Sequence, residues 1–321
     1  MKKVLKYSIS IIITIIVFYL ISTQITLTDV INVLKKTNPL LLFLGFLFYI
    51  VMMVFRTIRF DMLLNNKINF KTLFSIVMLH SFFNNILPVR TGEFSYVYYL
   101  KKKKIPVKKG LSSLLIARVF DFIVLITVMI VFIIFSNNLP NKEIFSKLIP
   151  WLLLSLFLII SLAFSLIFMH KYIIKFLKRF EKITPKFIHD KIEQFILSFS
   201  NYKSKKVLIL TFFYGLLIYL LGTISNYFSI VSLGFYLPLN ILIIAITFSV
   251  LSSVLPINGI ASFGTMEAVW VLILGYFGYS TKESLLLSFS LHIILILFST
   301  ISGLIGYLLF NFLSNNKNTS S

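Results

Sequence analysis

The segment LPVRTGE at residues 87–93 interrupts a long apolar stretch, and a second interruption, LPINGIASFGTME at residues 255–267, follows about half a chain later. In a lipid bilayer the backbone amides need hydrogen-bond partners within the protein. Prolines and glycines therefore persist at membrane depth only where they are buried or line a polar cavity. Interruptions in corresponding positions of two halves are typical of transporter binding sites. The two segments predict a membrane protein with a site built from broken helices.

The composition agrees with a membrane protein. Of the 321 residues, 58% are hydrophobic and 13% are charged, and the mean hydropathy is +0.96. Between Val207 and Thr281 the one charged side chain is Glu267. Soluble domains do not have this composition. The net charge of +21 comes from lysines in loops between apolar spans. This pattern indicates membrane topology and an affinity for anionic lipid, so no nucleic-acid partner is expected.

Cysteine is absent, which excludes disulfides, thiolate nucleophiles and cysteine-based metal sites. We predict no cofactor and no metal.

The first apolar run, Tyr7 to Thr23, follows three lysines and could be a signal peptide. Because it is long and lacks a small-x-small cleavage site, we interpret it as a retained first span.

Apolar stretches of about 20 residues predict six full membrane spans. They cover residues 7–23, 39–58, 111–135, 148–169, 207–233 and 284–313. Two further stretches, residues 72–100 and 241–277, contain the interruptions, and we predict re-entrant or broken-helix hairpins there. The predicted fold class is an all-α polytopic membrane protein with a single integral membrane domain over residues 1–321.

Basic residues set the predicted orientation through the positive-inside rule. The rule assigns the most basic segments to the cytoplasm: the N-terminal lysines, Arg56, Arg59, Lys67, Lys71, Lys101 to Lys104 and the basic loop at residues 170–206. That loop is interpreted as an amphipathic interfacial helix. Both termini are then cytoplasmic, in a multi-pass protein of the cell membrane. The halves at residues 1–136 and 148–313 each read span, span, hairpin, span in opposite orientations, which predicts an inverted repeat.

The first interruption supplies candidate ligands for an anionic group. Arg90 flanks the break at Thr91-Gly92, and its planar guanidinium suits bidentate capture of a phosphodiester. Glu93 follows the break, and Asn84 and Asn85 precede it with uncharged donors and acceptors. The alternative is a local ion pair between Arg90 and Glu93 that closes a turn at the membrane interface.

Other ionisable groups lie within apolar stretches, where a charge costs a few kcal/mol. Arg118 and Asp121 have i, i+3 spacing and form either a structural ion pair or a functional pair in which Asp121 meets Arg90 or accepts a proton. Glu267 is a substrate ligand, with Arg90 or Arg118 as its partner, or a structural group that is protonated or caps a helix N-terminus. Asn258, in the second interruption, is also a candidate ligand.

Two histidines, His80 and His292, lie in apolar segments and are candidates for a proton relay. The alternative is that each is a packed, hydrogen-bonded residue of the helix bundle. The complete set of candidate substrate ligands is Asn84, Asn85, Arg90, Glu93, Arg118, Asp121, Asn258 and Glu267.

At residues 85–93, 117–121 and 255–267 the chain resembles the flippase-like family related to the transmembrane region of lysylphosphatidylglycerol synthase. The resemblance spans nearly the full chain and is most specific at the pattern N-x-x-P-x-R-x-G-E. It implies a polytopic protein that moves a lipid across the bilayer, with relatives tied to aminoacylated phosphatidylglycerol or polyprenyl-linked glycans. Residues 94–96 stand where relatives often place a further arginine. The sequence contains no soluble aminoacyl-transfer domain, so lysyl-lipid synthesis is not expected.

The leading hypothesis is a lipid flippase or transporter that moves an anionic phospholipid or a polyprenyl-phosphate-linked lipid across the cytoplasmic membrane. Membrane lipids are the expected partners, and a separate lipid-modifying enzyme is a further candidate. The alternatives are an intramembrane lipid-modifying transferase, which divalent-metal dependence would favour, and a secondary transporter of a small solute. A transporter is preferred to an enzyme. No Walker A pattern occurs, so the chain is not expected to hydrolyse ATP.

Overall fold

All regular secondary structure is helical in the part of the chain that the computed structural model describes, residues 23–87, 91–135, 142–180, 186–252 and 260–315. These residues form twelve α-helices and three short 3-10 helices. The α-helices are α1 (Leu27–Lys35), α2 (Pro39–Leu63), α3 (Phe70–Ile86), α4 (Glu93–Lys102), α5 (Val107–Phe135), α6 (Lys142–Phe168), α7 (His170–Leu177), α8 (Lys186–Ser198), α9 (Lys205–Ser232), α10 (Leu239–Ser252), α11 (Thr265–Tyr276) and α12 (Thr281–Asn315).

Five of the described helices, α2, α5, α6, α9 and α12, are long and apolar enough to cross a membrane. The shortest of them has 25 residues, and at about 1.5 Å per residue it exceeds the roughly 30 Å hydrocarbon core. They correspond to five of the six predicted spans, which confirms a multi-pass, all-α membrane protein. The other predicted span, residues 7–23, falls outside the described residues except for its last one.

Each interrupted stretch contains a helix on either side of its interruption. Helices α3 and α4 flank the first, and α10 and α11 flank the second. Residues 88–90 and 253–259 lie outside the described residues. With 17, 10, 14 and 12 residues, these helices are shorter than the roughly 20 residues of a full span. The re-entrant course of the hairpins and the inverted repeat stay predictions.

The basic loop at residues 170–206 contains two α-helices, α7 and α8, instead of a single interfacial helix. Pro185 directly precedes α8. A proline disfavours helical geometry in the residue before it, and proline directly before a helix is consistent with a helix that starts at Lys186. Near the end of the loop, the hydroxyl of Tyr202 lies 3.3 Å from Oγ of Ser112 on α5. Burial raises the pKa of the Tyr202 hydroxyl. Placement of the loop at the cytoplasmic interface stays a prediction.

The described chain divides into two compact units. The first contains described residues of Met1–Val54, Phe74–Tyr96 and Leu220–Ser321. Within it, α1 and α11 pack against α12, and α10 packs against α11. The second contains described residues of Phe55–Leu73 and Val97–Tyr219. Within that unit, α5 packs against α6 and α8.

Small residues bring helices of the first unit close together. Oγ of Ser225 on α9 donates a hydrogen bond of 2.8 Å to the carbonyl of Gly45 on α2. On α12, Gly303 lies against Phe82 and Gly306 against Met78, both on α3. Without a hydrophobic driving force inside lipid, close packing of this kind is a main source of helix association.

We expect Gly303→Ala to lower the melting temperature of the detergent-solubilised protein. The added Cβ would lie 2.6 Å from Cβ and Cγ of Phe82, and overpacking of this kind costs about 1–3 kcal/mol. The matched control is Gly275→Ala on α11, where an added Cβ has no neighbour within 4 Å. Alanine is the better helix former, so the control should be neutral or slightly stabilising. Equal melting temperatures for the two variants would contradict the packing described for Gly303.

Candidate functional site

The chain makes a tight turn immediately before α11. Ala261 and Ser262 have φ angles of 51° and 60°, and Gly264 has a φ of 91°. Glycine adopts this left-handed region freely, whereas it costs other residues about 1–2 kcal/mol. Oγ1 of Thr265 donates a 3.0 Å hydrogen bond to the carbonyl of Ser262, which closes the turn. Backbone strain of this kind concentrates at binding sites, where the surrounding structure holds it in place.

Glu267, the third residue of α11, is fixed by two hydrogen bonds. Its Oε2 accepts a 2.7 Å hydrogen bond from the backbone N–H of Gly264, which satisfies a free donor at the helix start. Its Oε1 lies 2.6 Å from Nδ1 of His292 on α12. The side chains of His292 and Glu267 are 6% and 1% exposed. Ionisable groups buried to this extent require hydrogen-bonded partners, and each of the two supplies one to the other.

His292 lines a cavity of about 190 Å³ in the first unit. The cavity combines polar and apolar side chains and lies beside both interruptions. Asn85, near the end of α3, contributes from the first interruption, while α10, the turn and α11 contribute from the second. The lining residues are Asn85, Asn226, Ile246, Ser249, Val250, Ser252, Ala261, Ser262, Thr265, Met266, Trp270, His292, Leu295 and Ile296.

Two buried polar atoms have no hydrogen-bond partner in the described part of the chain, one on a residue that lines the cavity and one on a neighbour in sequence of a lining residue. They are Nε1 of Trp270, which lines the cavity, and Oδ1 of Asn84, which precedes the cavity-lining Asn85. An unpaired buried donor or acceptor costs about 1–3 kcal/mol, and folded proteins keep few of them. A hydrogen-bonding ligand or water in the cavity would offset part of this cost.

A buried ion pair joins α2 and α5 in the second unit. Nη1 of Arg59 lies 2.5 Å from Oδ1 of Asp121, and Nη2 lies 3.4 Å from Oδ2. Nη1 of Arg118 lies 3.7 Å from the same Oδ2. The Arg59 side chain is 2% exposed and that of Asp121 is 26% exposed. The two-bond arrangement between a guanidinium and a carboxylate lets both charges remain inside an apolar helix pair.

The family of the chain follows from comparison with known proteins. The family model described as the lysylphosphatidylglycerol synthase TM region matches residues 7–303. The chain belongs to this family. It is also similar to a UPF0104 membrane protein of Methanocaldococcus jannaschii, with 25% identity over 329 aligned residues that cover 96% of each chain. No solved structure matches the chain.

Several of the predicted site residues fall into two groups. In the first unit, the candidate ligand Asn85 and the proton-relay candidate His292 line the cavity, and the candidate ligand Glu267 is hydrogen-bonded to His292. In the second unit, Arg118 and Asp121 face each other one helical turn apart, as their spacing predicted. The structure does not test a role for any of them in substrate binding, which stays a prediction.

The other predicted residues have separate positions. Glu93 is the first residue of α4. His80 is buried on α3, with its ring centre 5.6 Å from that of Tyr96. Arg90 and Asn258 lie outside the described residues. Among the described residues, no group of three His, Asp or Glu side chains is placed to hold a metal ion.

Glu267 has a partner that the sequence did not suggest. From the sequence, Arg90 or Arg118 was the expected partner. Among the described residues the structure pairs Glu267 with His292, 25 residues along the chain, and with the backbone of Gly264. Arg90 lies outside the described residues, so its pairing with Glu267 stays a prediction. The capping interaction is the structural alternative that the sequence left open. It does not by itself exclude a functional role, because His292 also lines the cavity.

Asp121 has one partner that the sequence predicted and one that it did not. The spacing predicted an ion pair with Arg118, and the structure shows this pair together with a second one to Arg59. Arg90, the other candidate, lies outside the described residues. The positive-inside rule grouped Arg59 with loop residues because the predicted span ended at Ile58. Helix α2 in fact continues to Leu63, so Arg59 is a buried helical residue. The apolar stretch from which the span was predicted ends before the helix does.

Proposed function

We propose that the chain is a lipid transporter, a flippase in which the head group of an anionic phospholipid or polyprenyl-linked lipid enters the cavity lined by Asn85 and His292. The observation that carries the proposal is this cavity, of mixed polarity, beside both interruptions of an otherwise apolar membrane protein. Interrupted helices are the elements that build substrate sites in secondary transporters. Membership of the lysylphosphatidylglycerol synthase TM region family supports a role connected with lipids.

The size of the cavity favours a head group over a whole lipid. At about 30 Å³ for each water in the liquid, its volume of about 190 Å³ corresponds to roughly six waters. Drug-sized ligands need pockets of about 300–1,000 Å³. The acyl or isoprenoid chains would therefore remain in the bilayer while the polar group crosses through the protein.

The preference for an anion rests on Arg90, which follows Asn85 by five residues. Asn85 lines the cavity, so the chain leads from the cavity wall directly into the segment that carries Arg90. A guanidinium binds a phosphodiester through two parallel hydrogen bonds. His292 would provide a further donor to the head group. In this proposal the two halves rock about the site, in the cell membrane with both termini in the cytoplasm.

The test is a reconstitution in liposomes that carry acyl-labelled fluorescent lipids. Dithionite bleaches only the label in the outer leaflet, so the time course reports movement between leaflets. Phosphatidylglycerol should move faster in proteoliposomes than in protein-free liposomes and faster than phosphatidylcholine, because only the former carries a net negative charge. We expect Arg90→Ala to lose this head-group-dependent movement while it elutes as folded protein.

The control for that variant is Lys147→Ala, which also removes one cation but at an exposed site where Lys147 pairs with Glu143. The control should transport like the wild type. Absence of movement for every lipid would overturn the proposal. A divalent-metal-dependent lipid product would point to a transferase instead, and uptake of a water-soluble substrate would point to a solute transporter.

A further inference from the structure

We infer that the Glu267–His292 pair takes up one proton with each anionic head group that enters the cavity, so that the lipid crosses the membrane without net charge. The inference rests on the proposed function and adds the means by which transport is driven. A proton gradient would supply the energy, and the pair would be the coupling site.

Hydrogen bonds hold the side chains of Glu267 and His292 together as a pair that can share protons. Oε1 of Glu267 lies 2.6 Å from Nδ1 of His292, and Oε2 is held by the N–H of Gly264. Both oxygens of the carboxyl group are therefore engaged, and its position is fixed. The ring of Phe263 lies 4.4 Å from the imidazole, centre to centre, and covers one side of it. Since Nδ1 faces Glu267 and the residue lines the cavity, Nε2 is the ring nitrogen left for a ligand.

The charge of the pair depends on how many protons it holds. With one proton it is neutral overall, either as an imidazolium with a carboxylate or as an imidazole with a carboxylic acid. With a second proton it carries a charge of +1, which is unfavourable for groups that are 6% and 1% exposed. An anion in the cavity removes that penalty, because an opposite charge nearby stabilises the charged form. Binding of the head group and of the second proton should therefore favour each other.

Thermodynamic linkage makes this effect reciprocal. If the occupied state holds one more proton than the empty state, affinity for the anion rises by up to about tenfold for each unit by which the pH falls. At the alkaline side of the membrane the proton leaves and the pair returns to neutral. The head group of the lipid then dissociates from the cavity. The one bond that forms and breaks is that of the proton to the pair, and one negative and one positive charge cross the membrane together.

Few other titratable groups lie near the pair. Of the described residues that line the cavity, only His292 has a side chain that gains or loses a proton near neutral pH. Helix α10 contributes none. Lys282 and Glu283 lie on α12 about 15 Å from His292 at 1.5 Å per residue, and Lys282 pairs with Asp29 of α1 at 3.6 Å. The other titratable groups on the described helices of the first unit are Lys35 (α1), Tyr49 (α2), His80 (α3), Glu93 and Tyr96 (α4), Tyr227 (α9), Tyr276 (α11) and Tyr307 (α12).

The experiment imposes a pH gradient on proteoliposomes that contain acyl-labelled phosphatidylglycerol, with the membrane potential clamped by valinomycin and potassium. The fraction of label that dithionite reaches then reports the distribution between leaflets at equilibrium. The wild type should accumulate the lipid in the leaflet that faces the alkaline compartment by about tenfold per pH unit. A potassium diffusion potential alone should not shift the distribution. Protein-free liposomes give the background response of the lipid itself.

Two substitutions test the assignment of the pair. His292→Gln removes the imidazole that would carry the second proton and should lose the response to the gradient. Glu267→Gln leaves an imidazole that can still bind one proton with the anion, and it should keep the response. His170→Gln is the control for the first, since His170 is also buried but lies in the second unit. Glu283→Gln is the control for the second. Its Oε2 accepts the backbone N–H of Ser280 in the same capping geometry, but at an exposed site. Both controls should respond like the wild type.

The outcomes separate the coupling from the transport function. If phosphatidylglycerol moves between leaflets but its distribution does not depend on the pH gradient, the proton coupling is overturned and the proposed flippase function stands. No movement in any condition would overturn both. Binding can also be followed without transport, by calorimetry with short-chain phosphatidylglycerol in buffers of different ionisation enthalpy. The wild type should take up about one proton per head group, and zero proton uptake would overturn the inference.

Discussion

Replacing Arg59 with methionine should lower the free energy of unfolding by about 3 kcal/mol. Methionine keeps the apolar stem of the side chain but removes both hydrogen bonds to Asp121. A carboxylate that loses its buried partner is strongly destabilising, typically by about 3–5 kcal/mol. We expect the lower end of that range because Asp121 retains Arg118 at 3.7 Å. Unfolding of the purified protein in mixed micelles with increasing SDS measures the difference.

Arg118→Met is the matched control, because it removes an arginine from the same carboxylate. Its guanidinium is farther away and 25% exposed, so the loss should be below about 1 kcal/mol. The double variant Arg59→Met with Asp121→Leu should recover most of the stability, because replacing a whole buried pair by apolar residues is often near neutral. Equal losses for Arg59→Met and Arg118→Met would contradict the assignment of Arg59 as the principal partner.

Gly92→Ala should have an effect of similar size, about 3 kcal/mol. An added Cβ at this position would overlap the backbone of Phe83 and Asn84, near the end of α3. Backbone atoms cannot rotate away as a side chain can, so the start of α4 would have to separate from α3. Asn84 is followed by the cavity-lining Asn85, and we therefore expect lipid movement to fall together with stability. Thermal unfolding and the dithionite assay measure the two effects.

Ser95→Ala separates steric overlap from lost hydrogen bonding at the same turn. Oγ of Ser95 donates a 2.6 Å hydrogen bond to the carbonyl of Gly92, and its loss should cost about 1 kcal/mol. If Gly92→Ala were no more harmful than Ser95→Ala, then the close approach of α4 to α3 would not be the reason for glycine at this position.

The hydropathy of the chain and the positions of its helix-breaking glycines and prolines predicted the helical architecture, because both are local properties of the sequence. Five long spans and the helix breaks near residues 87–93 and 255–267 follow from composition within short windows. Helix α1 was not predicted, since nine residues are too few for a hydropathy signal. Its start is marked by Thr26 and Asp29, which form a reciprocal capping box. The hydrogen bond from the Thr26 backbone lowers the pKa of the Asp29 carboxyl.

The ion pairs between helices, Arg59 with Asp121 and Glu267 with His292, could not be predicted because each depends on which faces of two helices meet. Glu267 and His292 are both visible as polar residues in apolar stretches, but no spacing rule connects residues on separate helices. Trp270 was missed as a cavity residue although it follows Glu267 by three positions and thus shares its helix face. Polar and aromatic residues at i±3 or i±4 from an intramembrane carboxylate are the signal that would have identified it.

The separation of Arg59 and Asp121 by 62 residues has a consequence for biogenesis. At about 5–20 residues per second, a ribosome needs roughly 3–12 s to make the second residue after the first. During that interval α2 carries the cation of Arg59 without its carboxylate. Arg59 lies about 12 Å from the midpoint of α2 at 1.5 Å per residue, so its insertion costs less than the roughly 2.5–3.5 kcal/mol of the bilayer centre. The nascent α2 is therefore expected to stay near the translocon until α5 arrives, so that the two helices enter the lipid together.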